Sequence, residues 1–137
     1  MFSYSKEIPF KFEDQKRVFI WLADVILGEQ KLIGDVHYIF CDDGFLYNIN
    51  HKYLKHNTLT DIITFNYNFK NTISGDIFIS VERVEENASK YRVTFVDELH
   101  RVMVHGILHL CGYNDKTNEE KLLMRNKEDY YLSLRTF

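Results

Sequence analysis

Proline occurs once in this chain, at Pro9, and cysteine only twice, at Cys41 and Cys111. Two cysteines are too few for a disulfide framework, so each reads as a small buried hydrophobe of a reducing compartment. Nowhere do about 18 apolar residues run together, which excludes a membrane-spanning helix. Met1 to Glu7 contains no apolar run of signal-peptide length, and a cytoplasmic location is expected. An excess of positive charge is missing as well: 17 Lys and Arg stand against 20 Asp and Glu, for a net charge of −3. Strong, sequence-blind nucleic-acid binders are usually basic. Any nucleic-acid contact must therefore come from a local patch or be helped by a partner. No repeat, low-complexity tract or linker is visible.

What is present suits one packed domain spanning residues 1–137. The chain has 137 residues, 45% of them hydrophobic and 15% aromatic, and a domain of this size buries roughly two-thirds of its unfolded surface. Phe2 to Phe12 is broken by Pro9, and its first half reads as an edge strand. From Asp14, the residues Val18, Trp21, Leu22, Val25 and Ile26 follow helical spacing up to Gly28. Val36 to Phe40 reads as a strand, and Asp42-Asp43-Gly44 as a turn opening a helix through Leu46, Ile49, Asn50 and Tyr53. Ile62 to Tyr67 and Ile77 to Val81 are β-branched and aromatic, hence strands. Asn68 to Ser74 reads as a polar connection between them, with Gly75 and Asp76 leading into the second. Glu82 to Tyr91 reads as a charged exposed helix. Thr94 to Asp97 resembles a capping box opening a helix that is apolar almost all round from Val102 to Leu110, as a buried central helix would be. Thr117 and Glu120 form a second box before a last helix running to about Leu134. The expectation is an α/β (α+β) fold: a single mixed sheet of about four strands covered by about five helices.

The densest chemical signal is His105 to Asp115, of the form H-x-x-x-H-x-x-G-x-x-D. Histidines four apart lie on one helical face. Gly112 stands where a helix can end through a left-handed residue, so the chain can double back and bring Asp115 beside them. Two imidazoles and a carboxylate leave one position open on a tetrahedral zinc, as in catalytic sites. A histidine pair alone is more often structural or incidental; the glycine and the distal aspartate favour a metal site formed by His105, His109 and Asp115. The helix is like that of the H-E-x-x-H zinc peptidases, but Gly106 replaces the glutamate that serves them as base. A glycine there would also leave space beside the metal for a phosphate.

His105 to Tyr113, together with Gly75-Asp76-Ile77 and Thr60-Asp61-Ile62-Ile63-Thr64-Phe65, resembles the YbeY family, in an ordered match from about Ile49 to Glu128. The resemblance implies a zinc-binding, metal-dependent endoribonuclease selective for single-stranded RNA. It further implies work on the 3′ end of small-subunit (16S) ribosomal RNA and in ribosome quality control, in contact with the small ribosomal subunit and its assembly factors. Most members carry histidine where this chain has Asp115, aspartate at Asn114, and arginine at Leu54, behind Asn50 and Tyr53. A carboxylate is a competent zinc ligand, though its charge makes the metal a weaker Lewis acid and favours a harder ion such as manganese.

The chemistry expected is phosphodiester hydrolysis, in which a metal can supply hydroxide without a dedicated base. Lys55, His56 and Arg101 are the candidate catalytic residues for stabilising charge or protonating the leaving oxygen. For Arg101 a salt bridge to Asp97, one turn earlier, is the competing reading. Asp61 reads as a backbone binder or a substrate contact, Asp76 as a turn cap or a site residue. Tyr113 reads as a base-stacking or a core residue, and Met124 as core. Two other functions are consistent with the sequence: a metallopeptidase-like hydrolase, opposed by Gly106, and a non-catalytic ribosome-assembly factor, favoured by Leu54 and Asp115. A monomer is expected, without membrane contact.

Overall fold

The computed structural model describes residues 1–54 and 60–137. Its elements follow the chain as β1 (Phe2–Lys6), α1 (Gln15–Gly28), β2 (Leu32–Cys41), α2 (Asp43–Leu54), β3 (Ile62–Asn66), β4 (Thr72–Ser80), α3 (Val81–Tyr91), α4 (Phe95–Leu110) and α5 (Asn118–Ser133). The four strands form one sheet in the order β1-β2-β4-β3. β1 and β4 both run parallel to β2, and β3 is antiparallel to β4, so the sheet is mixed, as expected.

Strand alternation sorts the side chains onto two faces. Val36, Tyr38 and Phe40 of β2 and Ile73, Ile77 and Ile79 of β4 enter the main core with α1 and α4. Cys41 and Ile63 face the other way, where Leu46 of α2 covers them. α4 is the central helix: it packs on α1, α3, α5, β3 and β4, and ten of its sixteen residues are buried. Its start is fixed by the Thr94 side chain, which accepts a hydrogen bond from the Asp97 backbone. α5 opens with the full reciprocal box between Thr117 and Glu120.

Three expectations need correction. β2 begins at Leu32, four residues before the expected strand. β4 begins at Thr72, inside the expected polar connection, so Gly75 and Asp76 lie within the strand and Asp76 caps no turn. Gly106 does not open space beside a metal. It faces the sheet, where a Cβ would stand 3.0 Å from both Ile62 Cδ1 and Ile77 Cγ2. The glycine lets α4 approach the strands closely. Both cysteines are free thiols; burial pushes Cys41 up to about 12 and Cys111 up to about 11.

Candidate metal centre

The last turns of α4 present His105 and His109 side by side, their rings 4.5 Å apart. α4 then ends in a Schellman motif: Tyr113 N–H donates to the Leu108 carbonyl (3.0 Å) and Gly112 N–H to that of His109 (3.0 Å). Gly112 has φ +109°, a conformation L residues rarely adopt. The reversal returns Asp115 to the histidine pair. Its Oδ2 lies 3.2 Å from His105 Nε2 and 3.3 Å from His109 Nε2, and the three donor atoms all lie within 4.8 Å of one another.

That spacing fits a metal. Bonds of about 2.0–2.2 Å at tetrahedral angles put neighbouring ligand atoms roughly 3.3–3.5 Å apart. The second ring nitrogens are engaged too. His105 Nδ1 lies 2.6 Å from Glu128 Oε2, and His109 Nδ1 2.9 Å from the Tyr113 carbonyl. Both partners are acceptors and suit an Nδ1–H, which in a neutral ring leaves Nε2 its lone pair, the arrangement in which outer partners orient metal-binding histidines. Burial pulls the His105 imidazole down, but the hydrogen bond and charge of Glu128 outweigh it and leave it raised. Burial and the neighbouring His105 hold His109 below its ordinary value.

A cavity of about 250 Å³ opens beside His105 and Asp115, lined also by Asp61, Glu98, Arg101 and Glu128. Arg101, four residues before His105, also stands in it. Its guanidinium is committed to Glu128 (2.9 Å) and Asp129 (2.6 Å). The intrahelical pairing with Asp97 is not formed; Asp97 pairs instead with Arg135 (3.0 Å). Lys55 and His56 lie outside the described residues. A larger cavity, about 410 Å³, opens at the other end of α4 around Phe95, His100 and Arg135, away from the histidine pair.

Sequence reasoning missed Glu128 and left Asp61 undecided. Glu128 carried a signal: with Met124 and Tyr131 it forms the buried stripe of α5, and a carboxylate on an apolar stripe calls for a partner. Asp61 precedes β3, where its backbone carbonyl accepts from Ser80 N–H (3.0 Å). Burial raises its carboxyl, against the lowering influence of His105. Tyr113 is half-buried against the main core, and its hydroxyl donates to Glu29 Oε1 (2.5 Å). Met124 is core.

Sheet, central helix and returning loop define a class: a mixed α/β protein built around a helix whose paired histidines, with an aspartate, could hold a metal ion. The family model described as Endoribonuclease YbeY matches residues 3–135, and the chain belongs to that family. It is 51% identical over 134 residues to the Endoribonuclease YbeY of Flavobacterium psychrophilum, covering 98% of this chain and 96% of that one. Identity to the protein of the same name from Parabacteroides distasonis is 42% over 131 residues, covering 96% and 92%. The fold is similar to the solution structure of TM1509 from Thermotoga maritima, with a TM-score of 0.66 and 25% identity over 97% of this chain and 87% of that one.

Proposed function

We propose that this protein is a metal-dependent endoribonuclease that cuts single-stranded RNA, with one ion held by His105 Nε2, His109 Nε2 and Asp115 Oδ2. Its biological substrate in this reading is the 3′ end of 16S ribosomal RNA, with a further part in ribosome quality control. Its partners are the small ribosomal subunit and assembly factors, met in the cytoplasm by a monomer. The observation that carries the reading is the convergence of both Nε2 atoms on one carboxylate oxygen, at 3.2 and 3.3 Å, with both Nδ1 atoms engaged by acceptors. Relatives named as endoribonucleases supply the substrate class. Two nitrogens and one oxygen suit zinc, and the anionic oxygen also admits a harder dication.

Bound there, such an ion supplies hydroxide near neutral pH and Lewis acidity toward a phosphoryl oxygen. The protein's own residues do the rest. Glu128 and the Tyr113 carbonyl fix the two rings. Arg101 holds Glu128 in place and lines the cavity that would receive the phosphate. Asp61 and Glu98, their carboxyls both raised by burial, are the groups in that cavity suited to hold a proton for the leaving oxygen.

The test pairs elemental analysis with digestion of labelled single-stranded RNA, duplex RNA and casein. Wild type should carry about one ion and cut only the single strand. His109→Ala should keep its circular dichroism, lose the ion and slow cleavage by more than the roughly 100-fold that losing an outer partner costs at most. Casein hydrolysis with RNA left intact would replace the reading with a peptidase. Bound metal and small-subunit binding without RNA cleavage would replace it with an assembly factor.

A further inference from the structure

The segment that carries Asp115 has no regular secondary structure between the end of α4 and Thr117, and the Asp115 side chain is 40% exposed. Between Gly112 and Thr117, the side chain packed on the main core is that of Tyr113. Its hydroxyl reaches Glu29, 84 residues earlier, just past the end of α1. The Glu29 carboxylate is 9% exposed. Its Oε1 accepts from Tyr113 at 2.5 Å, and its Oε2 accepts from Lys127 Nζ at 3.1 Å and from the Tyr131 hydroxyl, both on α5. Burial opposes ionisation of this carboxyl, but the three donors outweigh it and hold Glu29 below its ordinary range, so it stands there as an anion. Lys127 also lies 5.3 Å from the centre of the Tyr113 ring.

The backbone of the same tyrosine serves the histidine pair. Its N–H closes α4 on the Leu108 carbonyl, and its carbonyl accepts from His109 Nδ1 at 2.9 Å. The buried charge-assisted bond at the hydroxyl anchors the Tyr113 side chain, and with the N–H bond to Leu108 it restrains the backbone that places the carbonyl.

We propose that Glu29 is a positioning residue of the metal centre: by holding the Tyr113 hydroxyl it fixes the carbonyl that keeps His109 protonated on Nδ1, leaving Nε2 directed at Asp115. The proposal rests on the reading of His109 as a ligand. It assigns to a carboxylate just past the end of α1, outside the His105–Asp115 motif, control over one donor atom's lone pair.

The experiment uses the full chain and two variants. Glu29→Gln leaves a single oxygen for three donors; Tyr113→Phe deletes only the hydroxyl and serves where the buried glutamine fails to fold. Long-range ¹⁵N–¹H spectra of the metal-free imidazoles report each tautomer, with His105, set by Glu128, as internal control. Zinc affinity is measured separately by competition with a chromophoric chelator. The expected result is a single Nδ1–H tautomer for His109 in the wild type, a mixture in each variant, an unchanged His105, and zinc bound about tenfold more weakly. The double variant should be no worse than either single one. Lower melting temperature with His109 still wholly Nδ1–H and zinc affinity intact overturns the proposal alone, since a merely structural role would do that. Wild-type zinc binding that His109→Ala leaves untouched overturns the ligand reading and the proposal with it.

Discussion

His100 shows what burial does to an imidazole outside the candidate metal centre. It is 3% exposed, packs against Trp21 and Phe137, and takes a hydrogen bond on Nδ1 from Arg135 (2.8 Å). Burial first and the Arg135 charge second lower its value to about 4, against the opposing influence of Asp97 and Asp14. A histidine that stays neutral in the fold but takes a proton when unfolded stabilises the protein fully above its unfolded value near 6.5. That contribution is lost as pH falls toward 4. Between pH 7 and pH 5 wild type should lose about 2 kcal/mol from this group, and His100→Gln, whose amide oxygen can still accept from Arg135, should lose that much less. Urea denaturation of both proteins at the two pH values checks it; parallel losses would mean that His100 already binds its proton in the fold. Nothing in the sequence around His100 separates it from His105. The candidate donors were legible as a group because one helix and one glycine turn carry all three. Glu128 and Asp61 come from α5 and from the start of β3, and no spacing rule reaches that far.

At the scale of elements, α4 does two opposite things at adjacent positions. His105 opens onto a cavity, and Gly106 seats the helix on Ile62 and Ile77. The resemblance to the zinc-peptidase helix therefore stops at its face: a glutamate at 106 would point into the apolar interface with the sheet, not at a metal-bound water. Gly106→Glu should cost more than about 3 kcal/mol, because it buries an unpaired carboxylate and overfills the contact. Thermal unfolding should show a large loss of melting temperature, with no gain of casein hydrolysis. A well-folded Gly106→Glu protein would mean that the helix sits further from the sheet than 3.0 Å contacts allow. The helices were legible in outline because apolar period and caps mark them independently, at Thr94 and Thr117 above all. The starts of β2 and β4 were not. Leu32 and Thr72 are partners in the parallel ladder, and Leu32–Asp35 and Thr72–Ser74 become strands through that pairing. Their own alternation is weak: Leu32 and Ile33 are exposed, and Ser74 spends its hydroxyl on the Asp35 backbone.

The whole molecule carries a net charge of −3, a poor starting point for holding a polyanion. The cavity beside the histidines repeats the imbalance locally: Asp61, Glu98, Asp115 and Glu128 outnumber Arg101 and Arg125. Both arginines lie within 4.0 Å of Glu128, and Arg101 also holds Asp129. Under the proposed function, the approach of a phosphate then depends on the charge of the bound dication more than on side chains. Two results should follow in fluorescence anisotropy with a labelled single-stranded RNA. Chelation should weaken binding itself, not cleavage alone. The slope of log affinity against log salt should also be shallow, about −1 to −3, since each neutralised phosphate of a single strand contributes about −0.7. A slope steeper than about −4 would correspond to roughly six phosphates held by side chains, and binding indifferent to the chelator would remove the ion from recognition. Either would require a basic surface that neither the charge balance nor the cavity lining offers among the described residues, and would move the RNA path away from the His105–His109 face.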